Sequence, residues 1–306
     1  MSADWATPPM ATWVLVGAYL IDRFCGELPN AVHPVAWMGK CAAWLASPLH
    51  RAPIPMALLG GALVALILPA ASAGVGLLPR LVDPPLLRGL LETCLLSTAF
   101  AIGALGAAVR VVSDALRASD LGSARRATRA LCSRDPSSLT SSQVSAAAIE
   151  SAAENTCDSV VAPLFYYALF GLPGAWAYRA INTLDAMLGY HGRFEYLGKA
   201  SARLDDLANL IPARLTTTLL WLAAPKRSAL RVWRRDAHLT ESPNAGHPMA
   251  MMAGLLNVEL QKPGAYRLGS GLPEPRSEDV ERALRIVERA SGLWVVAIAA
   301  LCWGLA

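Results

Sequence analysis

Charge is what this chain of 306 residues has least of. Asp, Glu, Lys and Arg make up 16% of it against 54% hydrophobic residues, where soluble domains carry about 25% charge. So few polar residues cannot coat a soluble surface of this size, and a disordered chain is excluded for the same reason. Lysine is scarcer still: of 27 basic residues only Lys40, Lys199, Lys226 and Lys262 are not arginine. The six cysteines (Cys25, Cys41, Cys94, Cys132, Cys157 and Cys302) show no C-x-x-C spacing, so no zinc site, redox pair or disulfide framework is indicated. The chain lacks a Walker A sequence, a Gly-x-Gly-x-x-Gly fingerprint after a strand and a Gly-x-Ser-x-Gly elbow. No zinc finger or basic stripe interleaved with aromatics is present, so nucleic acid is not an expected partner. Nothing alternates with period two, so a sheet is not expected. Met1–Met10 has no basic n-region, and no cleavable signal peptide is expected there.

What remains is apolar sequence in long runs. About 20 helical residues cross a bilayer, and Met56–Leu78 offers 23 without a charge. Leu90–Val109 follows the turn Asp83-Pro84-Pro85 and carries only Glu92 near one end. Further spans are expected near 11–24 and 290–306. Val160–Tyr178 is apolar but interrupted by Pro163, Gly171, Pro173 and Gly174. The expected class is therefore an all-α, multi-spanning helical membrane protein, one domain over 1–306, with cytoplasmic helical segments. Residues 160–178 and 207–224 are expected to form a broken or re-entrant helix pair or to span, the broken form being favoured because interrupted backbone at membrane depth needs protein or a water-filled cavity around it. Arginine marks sidedness. Six arginines between 110 and 134 and five basic residues in Lys226–Arg235 place 22–55 and 110–159 inside and 79–89 outside. The polar hairpin 179–206 is then expected to face the cytoplasm.

Three groups of acids and amides interrupt this background. In the first, Glu150, Glu154 and Asp158 stand at i, i+4 and i+8, drifting about 40° per step along one helix face. Three like charges on one face repel unless a cation lies among them; Mg²⁺ bound by a few carboxylates and substrate phosphate would satisfy them. A solvated face, or ion pairs to nearby arginines, would satisfy them equally. The second group places Arg179, Asn182 and Asp185 one turn apart before Gly189-Tyr190, and could equally be a capped helix end. The third, Arg203-Leu-Asp205-Asp206-Leu-Ala-Asn209 followed by Arg214, resembles metal–diphosphate chemistry. The expectation is that the anions between 150 and 209 gather on one aqueous face around a divalent cation. His33 and His247 each precede proline and suit a loop hydrogen bond as well as a base. Ser242-Pro-Asn244-Ala-Gly246 could present backbone N–H groups to an anion ahead of a helix over Met249–Leu260, or simply cap it. A helix is also expected from Ser277 to Gly292, and 262–276 is expected to be a loop.

These motifs resemble the CobD/CbiB family, the adenosylcobinamide-phosphate synthases of cobalamin biosynthesis. The resemblance is carried by Glu150-Ser-Ala-Ala-Glu-Asn-Thr-Cys-Asp-Ser-Val-Val-Ala-Pro-Leu-Phe-Tyr166, Tyr178–Tyr190, Ala202–Arg214 and Ser242–Gly246 with Met251–Gly254. Asp22-Arg23, His33-Pro-Val35 and Ser133-Arg134-Asp135 extend it over nearly the whole chain. Cys157, Ser159 and His191 depart from the family pattern. The resemblance implies an ATP-dependent amide ligase of the inner (cytoplasmic) membrane, joining adenosylcobyric acid to (R)-1-aminopropan-2-yl phosphate. It implies Mg²⁺ as cofactor, ATP as substrate, and other cobalamin-biosynthesis proteins as partners. With spacing and motif match together, Glu154, Asp158, Asp205 and Asp206 are expected to hold the metal nucleotide. Glu150 and Asp185 are expected as further ligands or base, with His33 a second base candidate. Arg179, Arg203 and Arg214 would hold phosphates, and Asn155, Asn182, Asn209 and Asn244 would position substrate. Two rivals belong to other classes: a non-catalytic AmpE-like membrane sensor or assembly protein, and a transporter, which buried charge beside broken helices also suggests.

Overall fold

The computed structural model describes residues 8–49, 52–132, 134–189 and 195–304. Ser133, Tyr190 and His191 of the motifs above lie outside them. Helices α1 Pro8–Phe24, α2 Pro34–Ala46, α3 Ile54–Gly76 and α4 Pro85–Ser97 come first. They are followed by α5 Ile102–Arg117, α6 Leu121–Thr128, α7 Ser141–Thr156, α8 Ala162–Leu188 and α9 Glu195–Ala208. Helices α10 Leu210–Ala223, α11 Arg227–Asp236, α12 Gly246–Leu256 and α13 Ser277–Gly304 complete the set. Four helical stretches among the described residues are long and apolar enough to cross a membrane: Ile54–Leu81, Pro85–Arg117, Ser141–Leu188 and Ser277–Gly304. The chain is a multi-spanning helical membrane protein. The outward residues of α3 show why: Met56, Leu59, Leu63, Leu66 and Ile67 are all exposed, a surface that lipid and not water would cover.

The described residues divide into two compact units. The first holds those up to Ala101, those of Ala162–Asn209 and those from Val295 onward. Here α3 packs on α8 and α9, and α1 on α4. Gly61 lets α3 and α9 touch at backbone distance, since a Cβ there would collide with the Leu197 carbonyl. The expected break in α8 falls at Gly171, whose φ of 68° and ψ of −159° interrupt the helix two residues before Pro173. Only glycine takes that conformation at low cost. The second unit holds the described residues of Ile102–Val161 and Leu210–Trp294. Its centre is α12, buried at every residue, which packs on α7, α10 and α11.

Several expectations are corrected here. The segment read as a loop contains a small antiparallel hairpin, β1 Leu260–Lys262 and β2 Tyr266–Leu268, with Leu260 opposite Leu268 and both fully buried. Three-residue strands are too short to show a period in sequence. Helix α12 stops at Asn257, in the left-handed conformation with φ of 61°, before the expected Leu260. Gly292 does not end α13, which runs on to Gly304, because apolar packing of its second half outweighs the small helical penalty of one glycine. Asp120 caps α6, accepting the Ser123 N–H at 2.9 Å. The start of α13 is held by Asp279, whose carboxylate accepts the Arg276 N–H at 2.9 Å.

Candidate functional site

In the first unit α8 and α9 bring the second and third motif groups together. The end of α8 supplies Arg179, Asn182 and Asp185; α9 supplies Asp205 and Asp206, with Asn209 just beyond it. Arg179 Nη1 donates to Asn182 Oδ1 at 3.4 Å. The fully buried Tyr178 hydroxyl donates to Asn209 Oδ1 at 2.9 Å, and Asn209 Nδ2 donates to Asp205 Oδ2 at 2.9 Å. The other oxygen of Asp205, Oδ1, is covered and has no hydrogen-bond partner among the described residues. Burial pushes the Asp205 pKa up to about 7; the Asp185 and Asp206 carboxylates push the same way, and the amides of Asn209 and Asn182 oppose them. The bond series begun by Tyr178 was not legible beforehand: Tyr178 lies 31 residues from Asn209, with no spacing rule to connect them. Arg203 is exposed on α9. His33 accepts the Val35 N–H through Nδ1 at 3.2 Å and caps α2; burial lowers its pKa, Glu27 raises it and Arg179 lowers it.

The first motif group lies in the second unit, on α7 and the single π turn Cys157–Val161 that follows it. The three acids do not stay equivalent along this path. Glu150 is 2% exposed and ion-paired to Arg134, while Glu154 and Asp158 are half-buried. The π turn adds a residue to its turn and takes Asp158 off the α-helical stripe. Of the two readings left open, ion pairing to an arginine holds for Glu150. The Tyr266 hydroxyl of the hairpin, which donates to Met249 Sδ at 3.8 Å, lies near enough to Glu150 to feel its charge. Burial, then Glu150 and Glu154, push the Tyr266 hydroxyl far above its ordinary pKa. Arg134 was visible only as part of a tripeptide motif, and Tyr266 gave no sequence signal. Both Arg134 Nη1 and Glu150 Oε1 remain buried without a partner among the described residues. Asn155 donates to the Ser151 carbonyl of its own helix at 2.9 Å.

Also in the second unit, Arg214 Nη1 donates to Asn244 Oδ1 at 2.7 Å and to the Leu210 carbonyl at 2.9 Å. Nearby His247 accepts the Trp233 Nε1–H through Nδ1 at 3.1 Å, which assigns the neutral ring's proton to Nε2. Burial, Arg214 and His238 together hold its pKa down at about 4.

Among the described residues no three His, Cys, Asp or Glu side chains are gathered as a metal site on their own. Asp205 with its carboxylate neighbours nonetheless suits a hard cation of the Mg²⁺ kind. Such an ion takes one or two carboxylates and completes its shell with water and substrate phosphate. The unpartnered Oδ1 of Asp205 is an oxygen that such an ion would satisfy.

The fold and these centres define a helical membrane protein with a buried acid-and-amide cluster. The CobD/Cbib protein family profile matches residues 15–290. The chain is 42% identical over 297 residues to the probable cobalamin biosynthesis protein CobD of Pyrococcus abyssi, covering 94% of this chain and 98% of that one. It is 41% identical over 292 residues to the cobalamin biosynthesis protein CobD of Rhodobacter capsulatus, covering 89% and 91%. A 41% identity over 262 residues links it to the probable cobalamin biosynthesis protein CobD of Methanothermobacter thermautotrophicus, over 84% of this chain and 86% of that one. No solved structure matches it. The chain belongs to the CobD/CbiB family.

Proposed function

We propose that the protein is an adenosylcobinamide-phosphate synthase, an ATP-dependent amide ligase of cobalamin biosynthesis in the cytoplasmic membrane. It would join a carboxylate of adenosylcobyric acid to the amine of (R)-1-aminopropan-2-yl phosphate. The observation that carries the reading is similarity over nearly the whole length to relatives named for cobalamin biosynthesis. The acid-and-amide motifs fit the chemistry. A carboxylate is a poor acyl donor, so the corrin carboxylate attacks the γ-phosphorus of ATP, forming an acyl phosphate and releasing ADP. The amine, once it has lost a proton to a base, attacks the acyl carbon. Phosphate leaves and the amide bond is formed.

Bound Mg²⁺ would spread the charge of the transferring phosphoryl group. Asp205 and Asp206, with Asp185 beside them, would hold it in the first unit; Glu154 and Asp158 offer carboxylates in the second. Arg179 and Arg203 in one unit and Arg214 in the other offer planar donor forks for substrate phosphates. Asn182 and Asn244 would orient substrate. Glu150, committed to Arg134, is assigned to holding α7 in place.

The test is incubation of the purified protein with Mg²⁺–ATP, adenosylcobyric acid and aminopropanol phosphate. ADP release coupled to a new corrinoid of the expected mass supports the reading, and EDTA should abolish both. Absence of product with all substrates present would leave the sensor or assembly reading in its place.

A further inference from the structure

The Tyr178–Asn209–Asp205 series has a direction. A side-chain amide presents an acceptor at one end and donors at the other, and either way round fits the same space. Here the Tyr178 hydroxyl donates to Asn209 Oδ1 at 2.9 Å, so Nδ2 is the end that meets Asp205 Oδ2, also at 2.9 Å. Turning the amide over would set its carbonyl oxygen against a carboxylate oxygen, two acceptors face to face. Tyr178 is itself immobilised: it is 1% exposed and stacks on Tyr166 with ring centroids 5.3 Å apart and 13° between planes. Tyr166 in turn donates to the Ala208 carbonyl at 3.0 Å, next to Asn209 in the chain. Oδ2 accepts from Asn209 and keeps a second lone pair, while Oδ1 is covered, meets no donor at hydrogen-bond geometry among the described residues, and has the Asn182 amide close enough to act on the carboxylate. Asp185 lies near enough to act on Asp205 through its charge.

We infer that Tyr178 and Asn209 are positioning residues: the buried hydroxyl locks the amide, and the amide holds Asp205 with its second oxygen turned toward a divalent cation. This rests on the proposed assignment of Asp205 to Mg²⁺. Neither positioning residue touches the reacting atoms. Asn209, expected from its motif to orient substrate, acts on the carboxylate instead.

The inference is tested on the full chain in detergent by Mn²⁺ binding, followed by electron paramagnetic resonance with the metal alone. Tyr178→Phe, which removes one oxygen atom, should weaken binding on the order of tenfold, the effect of one buried hydrogen bond. Asn209→Ala should weaken it at least as much. Because both act through one series, the double variant should lose no more than Asn209→Ala alone. Tyr167→Phe is the control: it removes another buried hydroxyl of the same unit, one that donates to the Ala11 carbonyl at 3.3 Å, and binding should not change. In the ligase assay Tyr178→Phe should lower kcat with the KM for adenosylcobyric acid unaltered. Wild-type Mn²⁺ affinity in Tyr178→Phe, losses that multiply in the double variant, or an equal loss in Tyr167→Phe would overturn the inference. So would a wild-type protein that binds no Mn²⁺. If Tyr178→Phe does not fold, Asn209→Ser carries the same test, and undiminished affinity there overturns it. A protein with no ligase activity but the expected Mn²⁺ pattern would sink the proposed function and leave this inference standing.

Discussion

Removing Arg134 should destabilise the protein more than removing Arg134 and Glu150 together. The Arg134 side chain is 16% exposed and that of Glu150 2%, so the pair is largely out of water. Deleting one member of such a pair leaves the other charge buried and costs about 3–5 kcal/mol. The charge of Lys262 still favours the Glu150 carboxylate, which argues for the lower end, about 3 kcal/mol, in Arg134→Met. Each partner also keeps one buried polar atom without a hydrogen bond among the described residues, Arg134 Nη1 and Glu150 Oε1, so the intact pair bears a desolvation cost of its own. Replacing both, as in Arg134→Met with Glu150→Gln, should therefore come within about 1 kcal/mol of wild type. At about 2–4 °C per kcal/mol, the single variant should melt roughly 6–12 °C lower, and the double variant should regain most of the difference. Thermal unfolding in detergent reads this directly, because nine tryptophans supply the signal. If the double variant melts as low as the single one, the ion pair is not what holds Glu150 and the reasoning fails. The double variant also separates structure from chemistry: with Glu150 assigned to holding α7, it should retain turnover.

Two other predictions concern the first unit. Asp205→Asn should reduce turnover at least 100-fold on the order typical of lost transition-state charge stabilisation, with the fold intact by circular dichroism. Its stability should also respond to pH differently. Asp205 has its folded-state pKa raised to about 7 from a model-compound 3.8. Folding therefore favours the protonated form, and this group's stabilising contribution is lost as pH rises from about 4 through 7. In EDTA, wild type should lose melting temperature over that window relative to Asp205→Asn; parallel curves would refute the assigned environment. Gly61→Ala should destabilise by about 3 kcal/mol or more, since overpacking at backbone distance cannot be relieved by a rotamer change. Gly74→Ala, where a Cβ meets nothing within 4 Å, should not lower the melting temperature; equal losses at the two positions would refute the α3–α9 contact.

The features legible in the sequence are those whose physics is local. An uncharged run of 23 residues reads as a span because apolar transfer adds along consecutive positions, and Met56–Leu78 lies within Ile54–Leu81, a helical stretch long and apolar enough to cross a membrane. The break in α8 was legible because Gly171 and Pro173 act on their own backbone. Asn182 and Asp185, one turn apart, fall on one helix and contribute to one cluster for the same reason. The hairpin was not legible, because three-residue strands hold only through the burial of Leu260 and Leu268 against other elements.

The sequence alone determined the class of the molecule, its longest uncharged run and the motif residues, since composition, run length and turn spacing depend only on neighbours along the chain. Tertiary structure alone decided how those residues differ from one another. Glu150 faces Arg134, 16 positions away, and Tyr266, 116 positions away, and becomes half of an ion pair. Asp205 meets Asp185 from another helix and takes a bond relayed from Tyr178. Two carboxylates alike in sequence thus acquire different chemistry, because charge is stabilised or opposed by whatever packing sets within a few ångströms, and that packing is not written in local order.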